Sequence, residues 1–365
     1  MTFSRSDHLH MASALRLAER GLNTTTPNPR VGCVIVRDGG VIGEGWHVRT
    51  GEAHAEIHAL GQAGEAAHGA TVYVSLEPCS HHGRTPPCAQ ALVAAGVKRV
   101  VAAMHDPNPQ VAGRGIEILR QAGIEAQVGL LAAEAHELNL GFVSRMTRGR
   151  PWLRVKTAGS LDGKTALENG SSKWITGEPA RADVHAWRAR ACALLTGVGT
   201  VLADDPQMNV RGIDSDRQPL RVIVDSHLRT PPQARMLADA SATTLIVCAH
   251  ADPARRDALL DAGALVLELP GDDGRVDLRA LMKELAGRGI NELHVEAGAT
   301  LNGALLAAAL VDEWLAYFAA TVLGHHARGL FELPALTDMA GRKAFRILDS
   351  RMIGADLRLR LRPSA

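Results

Sequence analysis

The sequence predicts an α/β protein built as two domains. Strand-like and helix-like runs alternate over nearly the whole chain. Gly149-Arg150-Pro151 interrupts that alternation once, after which it starts again. The length, 365 residues, suits two domains of roughly 150 residues or somewhat more.

Leu9, Ala12, Leu15, Leu17 and Ala18 form an apolar stripe, predicting a helix over 7–21 with Gly21 at its end. The segment TTTPNPR (24–30) is loop chemistry. Val31–Val36 and Val41–Trp46 flank Asp38-Gly39-Gly40 and read as a hairpin. Ala55–Gly64 reads as helix and Ala70–Leu76 as strand. A proline-rich loop, 77–87, leads to a helix at Cys88–Ala95. Arg99–Ala103 is read as strand, Ile116–Ala122 as helix and Glu125–Val128 as strand. Ala132–Arg148 is read as one long amphipathic helix.

Beyond the break, Trp152–Thr157, Ala193–Thr196, Leu220–Asp225, Thr244–Cys248, Leu265–Leu269 and Glu292–Glu296 are read as strands. Residues 178–190, 253–261, 277–286 and 302–309 are read as helices. Glu313–Val322 and Leu357–Leu361 are strand-like, and no motif is assigned to 331–365.

Composition narrows the function. Hydrophobic residues make up 46% and charged residues 22%, enough for a buried core. Lys+Arg number 40 against 39 Asp+Glu, a net charge of +1, and aromatics are 3%. Such a chain has neither the positive field nor the stacking platforms of a nucleic-acid binder. There is no apolar run of membrane-spanning length and no signal-peptide-like stretch near residue 1, so a cytoplasmic chain is expected. Cys33, Cys79, Cys88, Cys192 and Cys248 are then read as reduced thiols.

The sharpest pattern is His54-Ala55-Glu56, then 20 residues, then Glu77-Pro78-Cys79, then eight residues, then Cys88. One imidazole and two thiolates are ligands that zinc favours, and three protein ligands leave its fourth position for water. Zinc brings the pKa of such a water from 15.7 to roughly 7. Glu56, two residues from His54, is placed to carry the proton from that water to a leaving amine, the pattern of zinc deaminases. A structural zinc knot would need a fourth ligand, for which His81 or His82 is available. The insert SHHGRTPP (80–87) could grip an anionic part of a substrate, or could be a solvated loop.

The second half has no G-x-G-x-x-G after a strand. Gly197-Val198-Gly199 comes nearest. Glu296–Ala304 lies between a strand and a helix, and its small residues would let backbone N–H groups approach a phosphate.

HAEIHAL (54–60), LEPCSHHGRTPPC (76–88), TPNPRVGCVI (26–35) and HDPNPQVAGRG (105–115) resemble the bifunctional riboflavin-biosynthesis deaminase/reductase family. KTAGSLDGKTA (156–166), SSKWITG (171–177), TGVGTVLADDP (196–206), VIVDS (222–226) and VEAGATLNGALL (295–306) resemble its reductase domain. The matches span roughly residues 8–330.

The resemblance implies a cytidine-deaminase-like three-layer domain at 1–149 and a dihydrofolate-reductase-like domain at 150–365. It implies deamination of 2,5-diamino-6-ribosylamino-4(3H)-pyrimidinone 5′-phosphate, then NADPH reduction of the ribosyl group at C1′ to a ribityl chain. Asn28, His47 and His81 would seat the pyrimidine, with Arg84 near its phosphate. Ala158, Trp174, Thr200, Asp204 and Ser226 would contact NADPH, with Gly298, Ala299, Thr300, Leu301, Asn302, Gly303 and Ala304 around its phosphates. Ser172, Arg188, Met208, Arg211 and Glu296 would contact the reductase substrate, the two guanidinium forks suiting a phosphate. Lys156 or Asp204 would assist protonation. A homo-oligomer is expected.

Two rival readings make different predictions. A deaminase with a non-catalytic C-terminal oligomerisation platform would not bind NADPH. A nucleic-acid-binding protein with structural zinc would show salt-dependent affinity for single-stranded RNA.

Overall fold

The computed structural model describes residues 3–80, 87–109 and 111–364. The chain divides into two compact units, Met1–Arg150 and Pro151–Ala365.

In the first unit, helix α1 (Arg5–Glu19) is opened by a capping box between Ser4 and Asp7. The hairpin β1 (Gly32–Arg37) and β2 (Gly40–Trp46) turns through Asp38 and Gly39, both at positive φ, as a tight hairpin of right-handed strands demands. Then follow α2 (Ala55–Ala63), β3 (Thr71–Val74), α3 (Cys88–Ala94), β4 (Arg99–Ala102), α4 (Arg114–Gln121), β5 (Glu125–Val128), α5 (Ala132–Leu138) and α6 (Leu140–Arg148).

The five strands lie in the order β2-β1-β3-β4-β5, antiparallel on the hairpin side and parallel from β3 to β5. Alternate side chains face opposite ways. Cys33, Ile35, Val72 and Val74 join α2, α3 and α4 in one core. Val34, Val36, Tyr73 and Val101 join α1 and α5 in another. The result is three layers, helices on both faces of one sheet.

The expected single helix 132–148 is instead two, broken at Asn139. Asn139 is buried, its backbone leaves the helical conformation at φ −114, ψ 21, and its side-chain amide pairs with the Arg30 backbone. Oδ1 accepts the Arg30 N–H at 2.8 Å and Nδ2 donates to the Arg30 carbonyl at 2.9 Å. A long-range bond pair overrides the local periodicity.

The second unit contains β6 (Trp152–Ser160), β7 (Lys164–Ala166), α7 (Glu178–Arg190), β8 (Ala193–Gly197), α8 (Val198–Asp204), β9 (Leu220–Val224), α9 (Arg235–Ala238), β10 (Thr244–Cys248), α10 (Pro253–Asp261), β11 (Leu265–Glu268), α11 (Leu278–Gly287), β12 (Glu292–Val295), α12 (Ala299–Ala307), β13 (Glu313–Ala319), β14 (Arg328–Gly329), β15 (Phe345–Ile353) and β16 (Asp356–Pro363). Nine strands form one sheet, ordered β11-β10-β9-β8-β12-β6-β13-β16-β15. The first seven run parallel, and β16 and β15 are antiparallel additions. Helices α11 and α12 cover one face, and α7, α8 and α10 the other.

Strand β15 went unread in the sequence because it is a sheet edge. Ile347, Leu348 and Met352 are exposed there, so no core-facing alternation marks it. Helix α12 starts at Ala299, three residues before its expected start. Among the described residues no helix is long and apolar enough to cross a membrane.

Candidate metal centre and candidate cofactor site

In the first unit His54, Glu56 and Cys88 sit at helix starts, and Cys79 lies in the irregular segment after β3. His54 is the N-cap of α2, Glu56 is in its first turn and Cys88 opens α3. Helix α2 lies directly on the β2 backbone. A Cβ at Gly43 or Gly45 would stand 2.2 or 2.3 Å from the carbonyl oxygens of Ala59 or Ala55, so only glycine permits this approach.

His54 Nδ1 is 3.6 Å from Cys79 Sγ and 3.3 Å from Cys88 Sγ, and the three donor atoms lie within 4.8 Å of one another. A tetrahedral zinc with Zn–S of about 2.3 Å and Zn–N of about 2.0–2.1 Å sets nitrogen and sulfur about 3.6 Å apart, so spacing and donor chemistry both fit zinc. The Cys88 N–H donates to Cys79 Sγ at 3.2 Å. The Cys79 thiol is pulled down to about 4, first by the Cys88 thiol and, against burial, by His54. Cys88, facing Cys79 and Glu56 in a buried position, is pushed up. Glu56 is buried, and burial with the neighbouring Cys79 lifts its carboxyl to about 7.

His47 packs edge-on to His54 with ring centroids 5.3 Å apart. Its Nδ1 faces the Ala53 carbonyl at 3.2 Å, so Nδ1 carries the proton and Nε2 accepts from Asn28 Nδ2 at 3.1 Å. Burial holds this imidazole below its ordinary pKa. The structure thus brings Asn28 and His47 to the metal-ligand cluster. His81, His82 and Arg84 lie outside the described residues.

Sequence reasoning passed over Glu77. It is buried, and Oε1 accepts the N–H groups of Gly115 (2.9 Å) and Ile116 (3.3 Å). Oε2 accepts those of Gly113 (3.0 Å) and Asp106 (3.2 Å), and faces His105 Nδ1 at 3.0 Å. It ties down His105, Asp106, Gly113, Gly115 and Ile116 from a position two residues before Cys79. The available signal was a carboxylate directly before Pro78-Cys79, at the start of the segment read as a loop.

In the second unit Thr200, Ser226 and Glu296–Ala304 follow the carboxyl ends of the parallel strands β8, β9 and β12, where open α/β sheets bind ligands, whereas Ser172, Trp174, Arg188 and Arg211 lie in other elements. Strands β8 and β12 are neighbours, feeding α8 and α12. Arg188 of α7 grips Glu296 with a two-pronged bond, Nε to Oε1 at 2.5 Å and Nη2 to Oε2 at 2.9 Å. Its Nη1 donates to the Asn209 carbonyl at 2.9 Å. Lys156 Nζ lies 4.0 Å from Glu296 Oε2, and His294 Nε2 lies 3.5 Å from Oε1. Burial would raise the Glu296 carboxyl, but Arg188, His294 and Lys156 hold it well below its usual range. Burial lowers Lys156. His294 was passed over although it shares a sheet face with Glu296, two residues on.

Met208 is buried. Arg211 is exposed, its N–H bonded to His185 Nδ1 and its guanidinium to the side chains of Gln207 and Asn209. Ala158 lies on β6, Thr200 in α8, and Ser226 just past β9, its Oγ accepting the Val276 N–H at 3.3 Å. Ser172 and Trp174 occupy the loop before α7, with Trp174 70% exposed. Asp204 pairs with Lys173 of that loop at 3.3 Å. Gly298 caps α12, and Ala299–Ala304 form its first turns. Two of these are occupied structurally. Asn302 Nδ2 donates to the Ala297 carbonyl, and Gly303 packs so tightly that a Cβ would overlap Glu332 O. Thr300 Oγ1 donates to Glu332.

A three-layer unit with one imidazole, two thiols and a buried carboxyl, followed by a mostly parallel sheet with charged strand ends, defines a zinc deaminase joined to a reductase. The family described as "Cytidine and deoxycytidylate deaminase zinc-binding region" matches residues 4–104, and "RibD C-terminal domain" matches 151–359. The chain belongs to the riboflavin biosynthesis protein RibD family of bifunctional deaminase/reductases.

The Riboflavin biosynthesis protein RibD of Escherichia coli (strain K12) is 49% identical over 97% of this chain and 99% of its own length. That of Haemophilus influenzae is 46% identical over 100% and 99%. Among solved structures, Acinetobacter baumannii RibD has TM-score 0.92 and 46% identity, covering 99% of each chain. A Thermotoga maritima diaminohydroxyphosphoribosylaminopyrimidine deaminase/5-amino-6-(5-phosphoribosylamino)uracil reductase has TM-score 0.87 and 32% identity, covering 98% of this chain and 99% of that one.

Proposed function

We propose that this chain deaminates 2,5-diamino-6-ribosylamino-4(3H)-pyrimidinone 5′-phosphate in its first unit and reduces the deaminated product with NADPH in its second. The observation that carries the first half is the convergence of His54, Cys79 and Cys88 donor atoms beside buried Glu56. His54, Cys79 and Cys88 would hold zinc, which when bound supplies the Lewis acidity that ionises water near neutral pH. Glu56 takes the proton of the attacking water and delivers it to the ring amine that leaves as ammonia. Asn28 and His47, locked to each other, present a fixed donor–acceptor edge to the pyrimidine. His81 and Arg84 are proposed for the ring and its phosphate.

NADPH, when bound in the second unit, would supply the hydride for C1′ of the ribosyl group. Gly298, Ala299, Thr300 and Leu301 offer first-turn N–H groups of α12, which lack intrahelical partners and suit phosphate oxygens. Ala158, Trp174, Thr200, Asp204 and Ser226 complete the proposed nucleotide contacts. Ser172, Arg188, Met208, Arg211 and Glu296 are proposed to hold the substrate. Lys156 is proposed for protonation, supported by its position in the Arg188–Glu296 cluster. A homo-oligomer in the cytoplasm belongs to the same proposal, and light scattering and cell fractionation read those two points.

The test supplies the purified chain with the diaminopyrimidine phosphate. Ammonia should appear without NADPH, and NADPH should be oxidised once the deaminated product has formed. Ammonia release with no NADPH oxidation would leave a deaminase with an inert second unit. No ammonia release from zinc-loaded protein would sink the first half.

A further inference from the structure

The stretch after residue 331, which carries no sequence motif, grips the reductase helix α7 along its length. Hairpin β15–β16 turns through Gly354-Ala355, with Ile353 opposite Asp356 and Gly354 at φ +63, a conformation glycine adopts freely. A Cβ at Gly354 would come within 2.8 Å of Pro179, so the turn presses on the start of α7. Asp356 is 4% exposed, and its Oδ2 accepts the Gly177 N–H at 2.7 Å. Gly177 is the N-cap of α7 and has no side chain to cap with, so a carboxylate from far along the chain supplies negative charge at that helix N-terminus. Two residues on, Arg358 bonds both oxygens of Asp183 at 2.9 and 3.1 Å, and the Tyr317 hydroxyl donates to the same carboxylate. Another turn along α7, Trp187 is covered by the guanidinium groups of Arg154 (4.5 Å) and Arg360 (5.5 Å). Gly177 also ends the loop bearing Ser172 and Trp174, and α7 goes on to Arg188, which holds Glu296.

The geometry points to Asp356 as a positioning residue of the reductase site: its carboxylate fixes the Gly177 end of the loop that presents Ser172 and Trp174 to NADPH and substrate, and the start of the helix that presents Arg188. This rests on the reductase reading above. The effect should fall on affinity, because a loosened loop still closes over a bound nucleotide but closes less often.

The test compares the full-length native chain with Asp356→Ala and Asp356→Asn. In Asp356→Ala, amide hydrogen exchange in the 171–180 segment should quicken, and NADPH affinity by fluorescence titration should fall at least fivefold. KM for NADPH should rise similarly, with kcat at saturation within twofold of native. Asp356→Asn keeps an acceptor oxygen and should return all of these to within about threefold of native. Ammonia release should be unchanged in both, which also checks chain integrity. Native exchange and affinity in Asp356→Ala would overturn the positioning role. So would equal loss in the Ala and Asn variants, or a fall in kcat alone. If Asp356→Ala does not fold, the Asn variant decides: weakening beyond threefold overturns the role, whereas near-native binding and exchange support it. Failure of the native chain itself to bind NADPH would instead sink the reductase reading, and this proposal's functional half with it.

Discussion

The two candidate sites are built to opposite plans. The metal centre draws its donors from 35 residues, His54 to Cys88, and Glu56 beside it is sealed from solvent. The reductase cluster draws on positions from Lys156 to Glu296, and Arg211 near it is exposed. The difference follows from what each must hold. A single cation needs a few donors at fixed short range, which two helix starts and one strand-following loop can supply. A dinucleotide and a phosphorylated sugar need a long crevice, which only the carboxyl ends of several strands can line. A compact site is then expected to fail all at once through one residue, and a distributed one through the residue that ties its parts together.

The largest expected effect lies in the compact site. Glu56→Gln should cut ammonia release about 1,000-fold, the scale of a lost general acid–base. Zinc by metal analysis should be retained, and reduction of supplied deaminated product should proceed at the native rate. Cys88→Ser should instead lose both zinc and deamination. A Glu56→Gln enzyme that deaminates normally, or a Cys88→Ser chain with full zinc, would break the contrast.

Next comes the tie of the distributed site. Arg188→Ala strands the Glu296 carboxylate in a largely buried place. Its loss should destabilise the second unit by about 3 kcal/mol in urea unfolding, the scale of a broken buried ion pair. NADPH-dependent reduction should fall with it, and ammonia release should stay native. Unchanged unfolding and reduction would show that Arg188 ties nothing.

The smallest effect sharpens the contrast from the first unit's opposite face. Asp7 accepts from Tyr73 (2.7 Å), Arg99 (2.7 Å) and the Ser4 N–H (2.8 Å). Burial alone would raise its carboxyl, but Arg99, Tyr73 and Ser4 together hold it below the usual carboxylate range. Because the folded value is depressed, its stabilisation is complete above the unfolded value of about 3.9 and is lost as pH falls further. Asp7→Asn should cost about 2 kcal/mol at neutral pH. The gap from native melting should narrow below about pH 4. A gap that stayed constant into acid would remove Asp7 from the account.

Much of the metal centre could be read in the sequence because its chemistry is local. His54 and Glu56 share one short segment, and Cys79 and Cys88 flank one loop. Glu77 could not be read so easily, since four of its partners are backbone N–H groups, which every non-proline residue has. The Arg188–Glu296 pair was named as two separate substrate contacts, and its bidentate closure needed the β12–α7 juxtaposition. The break at Asn139 and the edge strand β15 were missed for related reasons. One is imposed by a partner at Arg30, and the other has no buried face to print a pattern.

The amino-acid sequence by itself determined the alternation of strands and helices and the close spacing of His54, Glu56, Cys79 and Cys88 along the chain, because periodicity and ligand chemistry act over short distances. Tertiary structure alone decided that the chain leaves the helix at Asn139, that Glu77 gathers four backbone N–H groups and that Asp356 caps α7 from 179 residues away. Those are hydrogen bonds between groups whose meeting depends on how the sheet brings distant segments together.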